Sequence, residues 1–322
     1  MELDFVKMHG AGNDFVFVDD LSRELDLSAE QVRFLCDRHF GVGADGVILV
    51  RPSERADCAA YMHYINDDGS LAEMCGNGVR CFAKYLVDRG FVAASEGRFV
   101  ADTLAGKRPI SFEIGEDGLL TQATVDMGEA VFAPQRIPTT LVATGTVQHA
   151  TQHAAQQTAV AEDAAPSDTL ISEPAVVNQP LNTPLGALDF TCVNMGNPHA
   201  VTFIEGVEEL DMRSVGPALV HHEVFPEQAN IEFAEVLNPG DAATGASAEI
   251  RMRVCERGVG ETLACGTGTC ATVVAAAVTG RIAVRHATVH LLGGDLRIEW
   301  LNNNHVMMTG PATTVYEGTI EL

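Results

Sequence analysis

The sequence predicts an α+β fold made of two related halves. Three observations carry that prediction. Strand patterns dominate and helices are few, without the regular strand–helix–strand alternation of a doubly wound fold. The stretch Met74-Cys75-Gly76-Asn77-Gly78-Val79-Arg80-Cys81 has a counterpart in Ala264-Cys265-Gly266-Thr267-Gly268-Thr269-Cys270, the leading cysteines lying 190 positions apart. Each motif also follows an asparagine-bearing segment at similar range. Asn13 stands 62 positions before Cys75, and Asn197 stands 68 before Cys265.

In chain order, Phe5 to Met8 and Phe15 to Val18 read as strands around the turn His9-Gly10-Ala11-Gly12-Asn13-Asp14. Ser28 caps a helix, with Gln31 completing a capping box and Val32, Leu35, Cys36 and His39 on its inner face. A lone histidine on such a face is ordinarily packing. Gly41-Val42-Gly43-Ala44-Asp45-Gly46 matches the dinucleotide fingerprint literally. However, it follows a helix and precedes the strand Val47 to Val50, the reverse of the order a nucleotide-binding unit requires, so a tight turn explains it. Ala59 to Ile65 is a strand leading to the turn Asn66-Asp67-Asp68-Gly69, and Arg98 to Leu104, Arg108 to Ile114 and Leu119 to Asp126 are three more.

Thr139 to Pro184 differs in kind: it is rich in Thr, Ala, Gln and Val, has little periodicity, and reads mostly as a long mobile insertion. His149 and His153 within it have the spacing of a helical metal pair, but so polar a setting favours solvated loop residues. Leu188 to Met195, Ala200 to Ile204, Asn230 to Val236 and Glu249 to Val254 are strands, and the remainder from Ile282 is strand and turn.

The two cysteine motifs each open a helix. After Gly78, the apolar residues Val79, Phe82, Ala83, Leu86 and Val87 follow helical spacing up to Gly90. The run from Ala271 to Val278, closed by Gly280, is apolar nearly all round and predicts a helix buried on every side. A helix N-terminus presents unpaired N–H groups that favour an anion. A thiolate there is expected to be stabilised and its pKa lowered. The glycines let a ligand carboxylate approach the same N–H groups. One such cysteine alone would be an ordinary buried thiol; two in matched context suggest a thiol pair facing one pocket.

Two thiols on opposite sides of a carbon suit removal of a proton from one face and return of a proton to the other, with the pair titrating as a coupled system. The backbone amides at Gly76, Asn77, Gly266 and Thr267 are candidates to stabilise the developing charge. Arg257 can hold a carboxylate bidentately. Asn13, Asn66, Asn197 and Asn230 can fix polar substrate groups, although singly an arginine is more often a surface ion pair and an asparagine a turn residue. A pyridoxal cofactor would need a Schiff-base lysine. The chain has only Lys7, Lys84 and Lys107, none in a recognisable cofactor setting, so catalysis without a cofactor is expected.

Composition bounds the alternatives. The 322 residues are enough for two domains with real cores, and 44 acidic against 20 basic residues give a net charge of −24. That charge argues against nucleic-acid and anionic-membrane binding, and most of it reads as a solvated acidic surface. No apolar run reaches the length of a transmembrane helix, and Met1-Glu2-Leu3-Asp4 has no signal-peptide character, so a cytoplasmic location is expected. The eight cysteines contain no C-x-x-C pair, and neither a disulfide framework nor a metal site is expected. A reversible disulfide switch between Cys75 and Cys265 is the competing reading from another class. A racemase of proline or hydroxyproline type is the competing enzyme.

At the level of motifs the chain resembles the diaminopimelate epimerase family. The resemblance lies in Lys7-Met8-His9-Gly10-Ala11-Gly12-Asn13-Asp14-Phe15, Gly41 to Gly46, Met74 to Gly78, Gly196-Asn197-Pro198-His199, Glu256-Arg257-Gly258 and Ala264 to Gly268, in the family's order. It implies two similar halves, each a mostly antiparallel sheet wrapped around a central helix, with the site between them. Residues 1–127 plus a returning C-terminal strand 311–322 would form the first half, and 128–310, with the insertion at about 139–184, the second. It further implies cofactor-free conversion of LL- to meso-2,6-diaminopimelate for lysine and peptidoglycan precursor synthesis, with a homodimer as a compatible assembly. Cys75 and Cys265 would be the two bases, assisted by His199 and Glu256. Asn13, Asn66, Asn197, Asn230, Glu256 and Arg257 would hold the substrate, with Gly76, Asn77, Gly266 and Thr267 on the reacting carboxylate. One departure is Gly46, where family members often carry Gln.

Overall fold

The computed structural model describes residues 1–72, 74–151 and 169–322. In the N-terminal part the strands are β1 (Glu2–Gly10), β2 (Asn13–Asp19), β3 (Gly46–Arg51), β4 (Tyr61–Asn66), β5 (Arg98–Thr103), β6 (Gly106–Ile114) and β7 (Leu120–Glu129). Next come β8 (Gly145–Thr151), β9 (Thr169–Ala175) and β10 (Gln179–Thr183). The C-terminal part holds β11 (Gly186–Asn194), β12 (Pro198–Phe203), β13 (Asn230–Asn238), β14 (Ala248–Glu256), β15 (Gly260–Thr262), β16 (His286–Leu291), β17 (Gly294–Trp300), β18 (His305–Pro311) and β19 (Thr313–Glu321). Among the described residues, four α-helices interrupt them: α1 (Ala29–Cys36), α2 (Gly76–Asp88), α3 (Met212–Val220) and α4 (Gly266–Val278).

Strand pairing makes the internal repeat explicit. From β1 to β7 the successive pairings run antiparallel, parallel, antiparallel, parallel, antiparallel, antiparallel. The series β11, β12, β13, β14, β16, β17, β18 repeats that pattern. The helices fall at matching places: α1 and α3 in the first parallel crossover, α2 and α4 in the second. β7 pairs antiparallel with β18 and joins the two series into one sheet. The final strand β19 lies antiparallel on β1, with Leu3 opposite Ile320, and β10 stands in the same relation to β11. The fold is therefore α+β with two pseudo-symmetric halves.

Each half wraps its sheet around one helix. In α4 every residue from Thr269 to Ala276 is buried, as its all-round apolar sequence predicts. Small Ala and Val side chains let strands pack close on all sides, and burying each valine contributes roughly 1.5–3 kcal/mol. α2 is buried all round too, from Gly76 to Val87. Its apolar stripe is real, but its polar face is also enclosed and carries Arg80 and Lys84 inward. Lys84 is satisfied by Asp88 and the Leu120 carbonyl, each at 2.7 Å.

Two expectations need correction. His39 lies beyond the end of α1 in an exposed turn, because Asp37 ends the helix in an extended conformation; Val32, Leu35 and Cys36 do form the inner face. In the 139–184 region, the described residues 139–151 and 169–184 are mostly strand rather than irregular. β8 and β9 pair as a hairpin, Glu173 accepts from the Phe132 and Ala133 N–H groups, and Val147, Ala175, Val176 and Leu181 are buried. Threonine and valine supply strand propensity that weak periodicity concealed. His149 is buried beside Glu173, whereas His153 lies outside the described residues. Between Ile204 and Asn230, where no element was expected, the chain forms α3.

Candidate active site

Cys75 and Cys265 are the N-cap residues of α2 and α4. Both have extended backbone, so each thiol stands at the mouth of its helix. The N-termini of α2 and α4 meet. Gly76 and Gly266 both touch Met308, and a β-carbon on either would come within 3.1 Å of that side chain. Gly268 is required for a second reason: a β-carbon there would lie 2.6 Å from Glu232 Oε1 and 3.3 Å from Cys265 Sγ. The absence of side chains at these positions lets the two helix mouths approach.

Both cysteines line one cavity of about 1350 Å³ between the halves. It is also lined by Asn13, Asn66, Gly76, Asn77, Asn197, Glu256, Arg257, Gly266 and Thr267. Two residues of the expected set, His199 and Asn230, sit behind it instead. His199 is fully enclosed, its ring nitrogens facing Glu232 Oε1 at 2.6 Å and Asn197 Oδ1 at 2.9 Å. Asn230 Oδ1 accepts from the Arg257 backbone N–H at 2.9 Å, while its buried Nδ2 has no partner among the described residues. His199 thus braces Asn197, and Asn230 braces the Arg257 backbone. The Arg257 side chain is exposed at the cavity and, among the described residues, hydrogen-bonds only to the Glu227 carbonyl at 3.4 Å, which leaves most of its guanidinium available.

The first half contributes a tight hydrogen-bonded set. Ala11 and Gly12 form the two-residue turn between β1 and β2, both with positive φ. Asn13 follows at the start of β2, its Nδ2 donating to Asp45 Oδ2 at 2.6 Å and its Oδ1 accepting from Cys75 Sγ at 3.4 Å. Asn77 donates to the same Asn13 oxygen at 3.3 Å and to the Ala264 carbonyl at 3.1 Å. In the second half, Cys265 Sγ accepts from the Gly268 N–H at 3.4 Å and lies 3.5 Å from Thr267 Oγ1.

The expected lowering of the thiol pKa is not found. Burial pushes the Cys75 thiol up; the Gly78 and Asn77 N–H groups pull it down without prevailing, and the Glu256 carboxylate adds to the rise. Burial likewise raises Cys265 well above its ordinary value, reinforced by Glu256 and Glu232. A desolvated thiolate loses more than a helix N-terminus returns. Glu256 lines the same cavity, and its charge acts on both thiols. Burial raises its own pKa, against hydrogen bonds from Thr262 and Cys265. Such a carboxyl group can take a thiol proton and hand it back.

The structure adds residues the sequence did not single out. Arg38, Arg108 and Arg136 line the cavity, as does Tyr64. Tyr64 has a specific relation to Gly46. A β-carbon on Gly46 would lie 2.5 Å from Tyr64 Cε2 and 2.6 Å from the Ile65 carbonyl oxygen. The tyrosine ring therefore occupies the space a side chain at 46 would need. None of the three lysines lines the cavity. Lys7 pairs with Asp14 at 2.7 Å, Lys84 with Asp88, and Lys107 with Asp57.

Comparison with known proteins accords with this geometry. The family described as Diaminopimelate epimerase matches residues 5–133 and 191–315. The diaminopimelate epimerase of Thermosynechococcus vestitus is 44% identical over 328 aligned residues, covering 99% of this chain and 100% of that protein. That of Desulfitobacterium hafniense is 43% identical over 321 residues, covering 99% and 98%. These alignments run through the 134–190 stretch that the family match omits. A Bacillus anthracis phenazine biosynthesis protein of the PhzF family, at 15% identity, shares the fold with a TM-score of 0.64 over all of both chains. By family match and by full-length identity, the chain belongs to the diaminopimelate epimerase family.

Proposed function

We propose that this chain converts LL-2,6-diaminopimelate to the meso isomer by proton transfer between Cys75 and Cys265, without a cofactor. The observation that carries the reading is that both cysteines cap facing helices on a single cavity. One thiol, as thiolate, removes the α-proton from one face of the substrate carbon. The bond electrons pass into the α-carboxylate, and the other thiol delivers its proton to the opposite face. The enzyme is left with the protonation states exchanged, and exchange with solvent restores them.

The N–H groups at Gly76-Asn77 and Gly266-Thr267 converge on the mouth where the carboxylate would gain charge, which is electrostatic stabilisation by preorganised donors. Arg257, Asn13, Asn66 and Asn197 hold the carboxylate and ammonium groups. Asn230 and His199 serve behind them, and Glu256 relays the thiol proton. The reading divides the chain into residues 1–127 with 311–322, and 128–310, supported by the repeated pairing order. It places the enzyme in the cytoplasm, in lysine and peptidoglycan precursor synthesis, as a homodimer. No described helix is long and apolar enough to cross a membrane.

The test is incubation of the reduced protein with LL-diaminopimelate in deuterated water. Alpha-deuterium in the meso product without added pyridoxal phosphate supports the assignment. An inert protein that turns over proline instead would replace it with the racemase reading.

A further inference from the structure

Arg80 is the largest completely enclosed side chain among the described residues. It breaks the pattern of α2, where a leucine would satisfy packing. Its Nη2 donates to Asn77 Oδ1 at 2.9 Å and its Nε to the Pro311 carbonyl at 3.3 Å. Its Nη1 reaches the Gly76 carbonyl and Met308 Sδ, each at 3.4 Å. Among the described residues no carboxylate pairs with it. The titratable groups facing it are Cys75 and Cys81 on α2 and Cys270 on α4. Gly10 and Gly310 make room for it, since a β-carbon on either would lie 3.1 Å from the guanidinium. A buried cation without a counter-ion is strongly penalised, so its retention needs a reason other than packing.

The contacts of Asn77 supply that reason. Its oxygen accepts from Arg80, while its nitrogen donates to Asn13 Oδ1, the acceptor of the Cys75 thiol, and to the carbonyl of Ala264, the residue before Cys265. We propose that Arg80 is a positioning residue for the two-thiol reaction: it orients Asn77 so that both cysteine-bearing helix mouths are held in one geometry, and it provides the buried positive charge that favours a thiolate at Cys75. This rests on the proposed epimerase reading. Its amide orientation also follows from chemistry: with a guanidinium on one side, the Asn77 oxygen must face it, and the nitrogen must face the two acceptors. At Cys75 the positive field opposes burial and the Glu256 carboxylate, which both disfavour the anion. Tyr64 and Cys81, further titratable neighbours of Cys75, are themselves held neutral by burial.

The experiment uses the full chain with Arg80→Met and Arg80→Lys. The readouts are the pH profile of Cys75 alkylation by iodoacetamide without substrate, located by mass spectrometry, and kcat and KM for epimerisation. Arg80→Met is expected to move the alkylation profile up by about one pH unit or more and to lower kcat about 100-fold, with KM changed by less than about threefold. Arg80→Lys keeps the charge but not the fork. It is expected to hold the profile within about half a unit while kcat falls at least about tenfold. An unmoved profile in folded Arg80→Met, or wild-type kcat in Arg80→Lys, overturns the proposal. If Arg80→Met does not fold, Arg80→Lys decides alone. The alkylation profile needs no substrate, so a wild-type protein inert toward diaminopimelate would overturn the epimerase reading and still leave the charge effect measured.

Discussion

Asn77 Nδ2 donates a hydrogen bond of 3.1 Å to the carbonyl oxygen of Ala264, 187 residues further along the chain. The bond joins the first helical turn of α2 to the peptide that leads into Cys265. The two cysteine-capped helices are therefore fixed to each other through a side-chain amide, in addition to their shared contact with Met308. A two-sided proton transfer needs this: a displacement of one thiol by about 1 Å can cost on the order of 100-fold in rate.

Replacing either Cys75 or Cys265 by alanine should abolish epimerisation, a loss of at least about a thousand-fold, because no neighbouring group can replace the missing base. The thermal midpoint should stay within a few degrees of the parent. Full turnover by either variant, measured by circular dichroism of the product mixture, would end the two-base account.

Glu256→Gln should separate thiol reactivity from catalysis. The carboxylate raises both thiols, so removing its charge should lower both pKa values and accelerate alkylation severalfold at neutral pH. Epimerisation should nevertheless fall about 100- to 10,000-fold, the range for loss of a proton-transfer group. Faster alkylation with undiminished turnover would remove Glu256 from the proton path.

Acid stability should depend on Asp14. Burial pushes this carboxyl up, but Arg38 and Lys7 prevail and hold it at about 2, below its ordinary 3.8. A lowered folded-state pKa stabilises the fold above the unfolded value, and the contribution disappears as pH falls through about 2. Lys7→Met should therefore cost about 1–2 kcal/mol at pH 7, because Arg38 remains on the carboxylate, with the difference shrinking below about pH 4. Urea unfolding at several pH values would reveal a constant difference if the pair contributes nothing.

Gly46→Gln should be destabilising here. The new β-carbon would strike the Tyr64 ring and the Ile65 carbonyl. Overpacking of this kind costs about 1–3 kcal/mol. Tyr64→Ala in the same chain should recover part of the loss, since the ring can be removed but the carbonyl cannot. Urea midpoints that stay unchanged in the single variant would show that the strand shifts freely.

Much of the molecule was legible from local pattern. The capping box at Ser28 and Gln31, the turn at Ala11-Gly12, and the cysteine–glycine starts of α2 and α4 are local signals, set by dihedral preference and hydrogen bonding within a few residues. The duplicated motif told of two halves because a repeated sequence repeats its local structure. The β8–β9 hairpin escaped because weakly patterned threonine and valine become strands only when a partner strand is present.

Tertiary structure decided what no spacing could. His199 and Asn230 were placed behind the cavity by the strands that carry them, Arg80 was turned inward because sheet covers the outer face of α2, and Tyr64 was set in the space above Gly46. The thiol pKa values belong to the same class. The helix N-terminus is readable from sequence, but the burial that outweighs it is not. The chain by itself determined which groups are present and which turns and caps they form, since those rest on neighbours in sequence. Distance, desolvation and orientation come from residues as much as 231 positions apart, and those three quantities set the chemistry of the thiol pair.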